Sequence, residues 1–354
     1  DTNPTASLLA KKLIDISPAQ IKKVFYSGDG ASAVEVALKM AFQYWLIKGK
    51  KRKNNFVCLK DGYHGDTLGA VSVGGIDVFH STFKPLLFKS YKIPSYDSSD
   101  NTIARLESIL IKKADTIAAL IMEPYVQAAG GIKVATKGYL KKIQKLCKKF
   151  DILLILDEVA TGFGRTGEMF ACDHDNVTPD ILVLGKGLTG GYLPLSATIT
   201  TNNIFETFLG EHEELKAFFH GHSYSGNPLA CSAAIANLEI FEEEQTIKKA
   251  KKVIEIFEEE LKEFSGLEHV SSVRNKGLMA GIDLKKNVKK NINYNYNERI
   301  GKKVCDIAKK DGVLIRPLGD TIVIMPPVSI KQKELKKLTR TIYKSIKVAT
   351  ENES

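Results

Sequence analysis

Two side chains that together could do imine chemistry stand at matching places in the chain. Asp157 closes the apolar run of LLILDEVATGFGRTG, and Lys186 follows the run of DILVLGKGLTGG. Short, unbroken aliphatic runs are the pattern of strands buried in a parallel sheet, and open sheets of that kind collect ligands at the carboxyl ends of their strands. Both groups are therefore expected to face one crevice. There a lysine amine can condense with an aldehyde, and a carboxylate can pair with a cationic ring nitrogen.

Each residue alone has a plainer explanation. An Asp-Glu pair after a strand commonly caps a loop or helix, and a lone lysine is commonly a solvated charge. Placed together they fit the wiring of a pyridoxal 5'-phosphate site, where lysine forms a Schiff base with the cofactor aldehyde and an acid pairs with the pyridinium nitrogen. A rival lies in the lysine segment, because Gly185, Gly187 and Gly190 spell GxGxxG after a strand, the dinucleotide-binding fingerprint. That motif has to open a helix. Here Gly191, Tyr192, Leu193 and Pro194 follow instead, Pro194 leads into the strand-like LSATIT, and no acid at its end is available for a ribose hydroxyl.

The elements that would position these groups alternate through the first two thirds of the chain. VFYS precedes a helix from about Ala31 to Lys48, with Val34, Leu38, Ala41 and Trp45 at helical spacing; NFVCL, TIAALIM and ILLIL read as strands, and KGYLKKIQKLCKKF as a helix. This order predicts an α/β domain with a mainly parallel sheet and helices on both faces, over residues 1–235. After Pro228 two helical stretches reach Phe264; then VSSVRNKGLMAGIDL reads as strand, VLIRP and TIVIMPP as a short pair, and Lys331 to Val348 as a closing helix. Residues 236–354 are thus expected to form a smaller α+β domain. Lys285 to Asn297 reads as a solvated loop.

With 354 residues, 44% of them hydrophobic, the chain can bury a large core. Its longest aliphatic run, Ile152 to Leu156, is far too short to cross a bilayer, and no apolar leader opens the sequence, so a cytoplasmic enzyme is expected. Cys58, Cys147, Cys172, Cys231 and Cys305 lack CxxC spacing, which argues against a disulfide framework and against a zinc site; no metal is expected. The net charge of +10 is spread over helical segments such as KKIQKLCKKF and KKAKKVIEIFEEELKEF, in the second of which acids interleave with lysines, and this favours solvated faces over a nucleic-acid track.

Several further residues complete a candidate site. The turn Ser27-Gly28-Asp29-Gly30-Ala31 offers small residues and helix amides to a phosphate, with Gly30 and Ala31 as the contact residues; the alternative is an ordinary turn with Asp29 or Ser27 as N-cap. Gly221-His222-Ser223 is a second phosphate candidate. Tyr63 could lay its ring on a pyridine face or be a half-buried loop tyrosine, and His64, without a second histidine at ligand spacing, reads as structural. Glu123, in IMEPYVQAAGG, is read either as part of the cofactor environment or as a structural hydrogen-bond partner.

In this order the phosphate turn, MEP, DEVATGFGRTG, PDILVLGKGLTGGYLP, SGNPLAC and RPLGDTIVIMPP resemble the motifs of class III (ω-amino acid type) pyridoxal phosphate aminotransferases of fold type I, nearly from end to end. The resemblance implies that Lys186 carries the Schiff base and Asp157 pairs with the pyridine nitrogen. It implies a homodimer with the active site at the subunit interface, Gly30 and Ala31 holding the phosphate from one subunit and His222 and Ser223 reaching it from the other. Tyr63, Lys186 and Gly221 would line the substrate site, and Arg316 would grip the keto acid's carboxylate through its planar fork, unless it pairs with Asp320 at the surface. Small-molecule amine donors and keto acids are the partners implied.

VFYSGDGASAVEVALKMAFQYW and GYHGDTLGAVSVGG most resemble members of this family that act in biotin biosynthesis. That implies transamination of 8-amino-7-oxononanoate to 7,8-diaminononanoate, with S-adenosylmethionine or lysine as donor. The alternatives are a class III enzyme for ornithine, acetylornithine or an ω-amino acid, and a pyridoxal phosphate-binding regulator without turnover. Two departures stand out: Ala31 occupies a place where relatives usually carry serine or threonine, with Asp29 bringing a like charge near the phosphate, and Ser223 replaces the commoner threonine. The N-terminal segment of several dozen residues that the family places before Asp1, which adds aromatic residues to the substrate pocket, is not in the sequence.

Overall fold

A computed structural model describes residues 3–96 and 99–351, which divide into two compact units. The first comprises residues up to 130 together with 135–163 and 168–244; the second comprises 131–134, 164–167 and the chain from 245 onward. A boundary at 235/236 would cut a continuous helix, Pro228–Glu243, which belongs to the first unit.

In the first unit the chain runs α1 (Pro4–Ile16), β1 (Ile21–Ser27), α2 (Gly30–Ile47), β2 (Asn55–Leu59), α3 (Leu68–Ser72), α4 (Asp77–His80), β3 (Tyr91–Ile93), α5 (Ser99–Lys113), β4 (Ile117–Met122) and the two-residue β5 (Val126–Gln127). After β6 (Lys133–Val134), which falls in the second unit, follow α6 (Tyr139–Lys149), β7 (Leu153–Asp157), β8 (Ile181–Leu184), β9 (Ser196–Thr201), α7 (Asn202–Thr207) and α8 (Pro228–Glu243). Seven strands form one sheet in the order β1-β9-β8-β7-β4-β2-β3. The pairs from β8 to β3 are parallel, whereas β9 runs antiparallel to both β8 and β1. The turn after Lys186 is why. Gly190 at φ 62° and Gly191 at φ 84° reverse the chain within a few residues, so no crossover helix carries it back to the other end of the sheet.

The aliphatic runs are buried over their whole length, as a sheet covered on both faces requires. On one face Ala119, Ile121, Leu153, Ile155, Ile181 and Val183 share a core with Ala33, Val34, Ala37, Leu38, Ala41 and Trp45 of α2. The Trp45 indole donates to the Ala118 carbonyl at 2.8 Å, which seats the helix across the sheet. A helix so anchored directs its amino end, at Gly30, to the side of the sheet where β1 finishes.

The second unit is a four-stranded antiparallel sheet, β10 (Val270–Lys276), β11 (Met279–Leu284), β13 (Thr321–Ile324) and β12 (Arg316–Leu318), with α9 (Thr246–Lys262), α10 (Ile300–Lys310) and α11 (Gln332–Glu351). Phe257, Leu261, Phe264, Ile282, Ile324, Leu335, Ile342 and Ile346 make its core. VSSVRNKGLMAGIDL is therefore a hairpin rather than one strand. Gly277 turns it at φ 59°, and a Cβ there would stand 2.5 Å from the backbone carbon of Thr166.

Candidate active site

Four parallel strands of the first unit end side by side, and each delivers a polar group just past its last residues. Cys58 of β2 is level with Ile121 of β4, Met122 with Leu156 of β7, and Asp157 with Val183 of β8. The loop after β2 carries Tyr63 and His64, β4 is followed by Glu123, β7 ends on Asp157, and Lys186 lies two residues beyond β8.

Asp157 is only 3% exposed. Its Oδ1 accepts the Val159 amide at 3.0 Å, and its Oδ2 stands 2.7 Å from His64 Nδ1. An ionised carboxylate can only accept, so His64 Nδ1 carries the proton. Burial on its own drives the His64 pKa down, but the hydrogen bond and charge of Asp157, helped by Glu123, bring it above the ordinary histidine value. His64 Nε2 is buried and has no hydrogen-bond partner among the described residues. A histidine that the sequence offers only as structural is thus the principal side-chain partner of the key acid. Its one sequence signal was its place just beyond the end of a strand, next to Tyr63.

Glu123 braces the same loop. Its Oε2 accepts the Tyr63 amide at 3.1 Å and its Oε1 the Ala128 amide at 2.9 Å. Burial raises its pKa to about 7; the Asp157 charge adds to this, while His64 and the two amides oppose it. The Tyr63 hydroxyl donates to Asp66 Oδ2 at 2.8 Å, and its ring stacks on that of His80 at 6.2 Å and 14°.

The start of α2 meets these loops. A Cβ on Gly65 would lie 2.3 Å from the Cβ of Ala31, one on Gly30 would lie 2.8 Å from Val159 Cγ1, and one on Gly185 would lie 3.7 Å from the Gly30 Cα. The turn before α2, the loop after β2, the loop after β7 and the turn after β8 therefore converge. Asp29 is the N-cap, with Oδ1 accepting the Ser32 amide at 2.9 Å and Oδ2 the Ser32 hydroxyl at 2.7 Å. The amides of Gly30 and Ala31 belong to the first turn and have no acceptor one turn earlier, which leaves them to an anion. Lys186 is exposed and sits at φ 41°, a left-handed conformation that costs a non-glycine residue about 1–2 kcal/mol and that surrounding structure must hold.

Gly221, His222 and Ser223 are exposed on the first unit. Arg316 belongs to the second, where it opens β12 and is exposed; among the described residues it forms no ion pair with Asp320 or any other acid. Such a set can hold an anion on amides, pair a cationic nitrogen with a buried carboxylate, and present an amine to a carbonyl.

A family model described as aminotransferase class-III matches residues 2–346. The chain belongs to this family. Among relatives of this class III aminotransferase, the adenosylmethionine-8-amino-7-oxononanoate aminotransferase of Aquifex aeolicus is 51% identical, over 98% of this chain and 79% of the relative. The crystal structure of the enzyme of the same name from Methanocaldococcus jannaschii superposes with a TM-score of 0.95 at 46% identity, over 98% of this chain and 80% of that one. The omega transaminase of Pseudomonas jessenii, solved in complex with PMP, gives 0.93 at 30% identity, over 99% and 80%.

Proposed function

We propose that this class III aminotransferase converts 8-amino-7-oxononanoate to 7,8-diaminononanoate in biotin biosynthesis, with pyridoxal 5'-phosphate as cofactor and S-adenosylmethionine or lysine as amine donor. The observation that carries this reading is a run of relatives, from Aquifex aeolicus at 51% to Helicobacter pylori at 40% identity, that match 94% or more of this chain and share the name adenosylmethionine-8-amino-7-oxononanoate aminotransferase.

The residues present fit that cofactor. Asp157, buried and held by one amide and one imidazole, keeps lone pairs for a cationic ring nitrogen, and the first turn of α2 has amides for a phosphate. When bound, pyridoxal phosphate supplies an electron sink for the carbon that loses its proton. Lys186 would hold the aldehyde and would supply the amine that moves that proton as general base. Asp157 keeps the ring nitrogen protonated, and His64 holds the Asp157 carboxylate in place. Gly30, Ala31, His222 and Ser223 bind the phosphate, Tyr63 and Gly221 shape the substrate site, and Arg316 binds the keto acid's carboxylate.

The enzyme works as a homodimer in which His222 and Ser223 serve the site of the other subunit. Phe219, Tyr224 and Leu229, 72%, 81% and 77% exposed, give that stretch an apolar surface suited to a second copy. Five buried, unpaired cysteines suit a reducing, cytoplasmic setting. No helix among the described residues is long and apolar enough to cross a membrane.

A second reading, another ω-amino acid transaminase, is favoured by the close superposition of the Pseudomonas jessenii enzyme. A panel of donors and acceptors separates the two. The proposal expects 7,8-diaminononanoate, detected by mass, with S-adenosylmethionine or lysine as donor; turnover confined to ornithine, acetylornithine or simple ω-amines would overturn it.

A further inference from the structure

The segment that carries His222 is fastened to α2 by two side chains one helical turn apart. Gln43 Nε2 donates to the carbonyls of Lys216 and Ala217, each at 3.1 Å, and Lys39 Nζ lies 2.9 Å from His220 Nδ1. His220 Nε2 in turn lies 3.3 Å from His222 Nε2. The His220 ring is fixed from the side as well, stacked on Phe218 at 5.7 Å and 22°, with Phe25 of β1 at 6.1 Å.

Donor and acceptor roles along this row are forced. An ammonium has no lone pair, so Lys39 donates and His220 Nδ1 accepts. A neutral imidazole that accepts at Nδ1 carries its proton at Nε2, which then donates to His222 Nε2. His222 is left with its own proton on Nδ1, the atom this row does not use. His220 suits a neutral link, because burial first, and then the Lys39 charge, lower its pKa against a smaller pull from Glu35.

We propose that Lys39 and His220 are positioning residues that set the tautomer of His222, so that it offers Nδ1–H to a phosphate oxygen. The other tautomer would turn a lone pair toward the anion. This rests on the reading of His222 as a phosphate group of the cofactor site. The same helix would then serve one phosphate at its amino end through Gly30 and Ala31, and the other subunit's phosphate through Lys39.

The test uses the whole cofactor-free protein with ¹⁵N-labelled histidine. In the wild type the imidazole nitrogens of neutral His222 should report Nδ1–H; in His220→Phe, which keeps the ring stack on Phe218, and in Lys39→Met, they should shift toward Nε2–H. Affinity for pyridoxal phosphate, measured by absorbance titration, should fall about five-fold in both variants, the worth of roughly one hydrogen bond, and recover largely in Lys39→Arg. An Nε2–H His222 in the wild type, or an unchanged tautomer in both variants, would overturn the relay. Wild-type affinity in His222→Ala would instead overturn the phosphate role on which it rests.

Discussion

Removing His64 should cost the protein stability even before any cofactor binds. In His64→Leu the Asp157 Oδ2 loses the donor 2.7 Å away and keeps only the Val159 amide on its other oxygen, in a site 3% exposed. A hydrogen bond to a charged group is worth about 1.5–3 kcal/mol net, and breaking a buried pair on one side costs about 3–5 kcal/mol because the remaining charge is left without its partner. We expect His64→Leu and Asp157→Leu each to destabilise the cofactor-free protein by about 3 kcal/mol, and the double variant by about 4 kcal/mol, a coupling of about 2 kcal/mol. Urea unfolding of the four proteins measures this. The pH dependence has a fixed sign: the folded His64 pKa lies above its unfolded value near 6.5, so its stabilisation is complete below that pH and is lost as pH rises through the folded value. The gap between wild type and His64→Leu should therefore be wider at pH 6 than at pH 9. Additivity within about 0.5 kcal/mol, or a gap that widens at alkaline pH, would refute the pairing.

Glu123, with a folded pKa of about 7 against an ordinary 4.5, contributes stability at low pH that disappears as pH rises between those values; each such group adds a slope of up to about 1.4 kcal/mol per pH unit. Glu123→Gln should make the decline in urea midpoint over that window shallower without abolishing it, since Glu158, also raised to about 7, remains; an unchanged slope would contradict this. Gly65→Ala would force a Cβ to within 2.3 Å of the Ala31 Cβ at a backbone φ of 116°, so stability should drop by at least about 2 kcal/mol and cofactor affinity should fall with it; wild-type values for both would show that the two segments do not touch. Arg316→Ala should raise the keto-acid KM ten-fold or more, on the order of one charge-assisted hydrogen bond, with less effect on the donor, and an unchanged KM would place the carboxylate elsewhere.

Much of the framework was readable because burial writes it into the sequence. IAALIM, LLILD and ILVL are apolar at every position, and only a strand covered on both faces needs that, so Asp157 and Lys186 could be set at strand ends without a structure. The direction of β9 was harder, since LSATIT reads the same parallel or antiparallel; the turn at Gly190 and Gly191 decides it. Asp29 illustrates a local competition. The residue read as a like charge near the phosphate has its carboxylate occupied by the Ser32 amide and hydroxyl, as its alternative role of N-cap requires. His64 was legible only as a loop histidine, because its partner is 93 residues away and no periodic pattern records a contact of that kind. The Lys39–His220–His222 row is invisible for the same reason: a lysine on an exposed helix face looks solvated until the fold brings residue 220 beside it.

If the Lys186 amine captures the cofactor aldehyde beside the Asp157 carboxylate, hydride reduction should fix the cofactor to that one side chain. Borohydride treatment of the cofactor-loaded enzyme, followed by proteolysis and mass mapping, reads out the point of attachment. We expect one pyridoxyl adduct, on the peptide containing Lys186, and its absence together with the visible absorbance in Lys186→Ala; an adduct on any other lysine, or none at all, would rule out Lys186 as the anchoring amine.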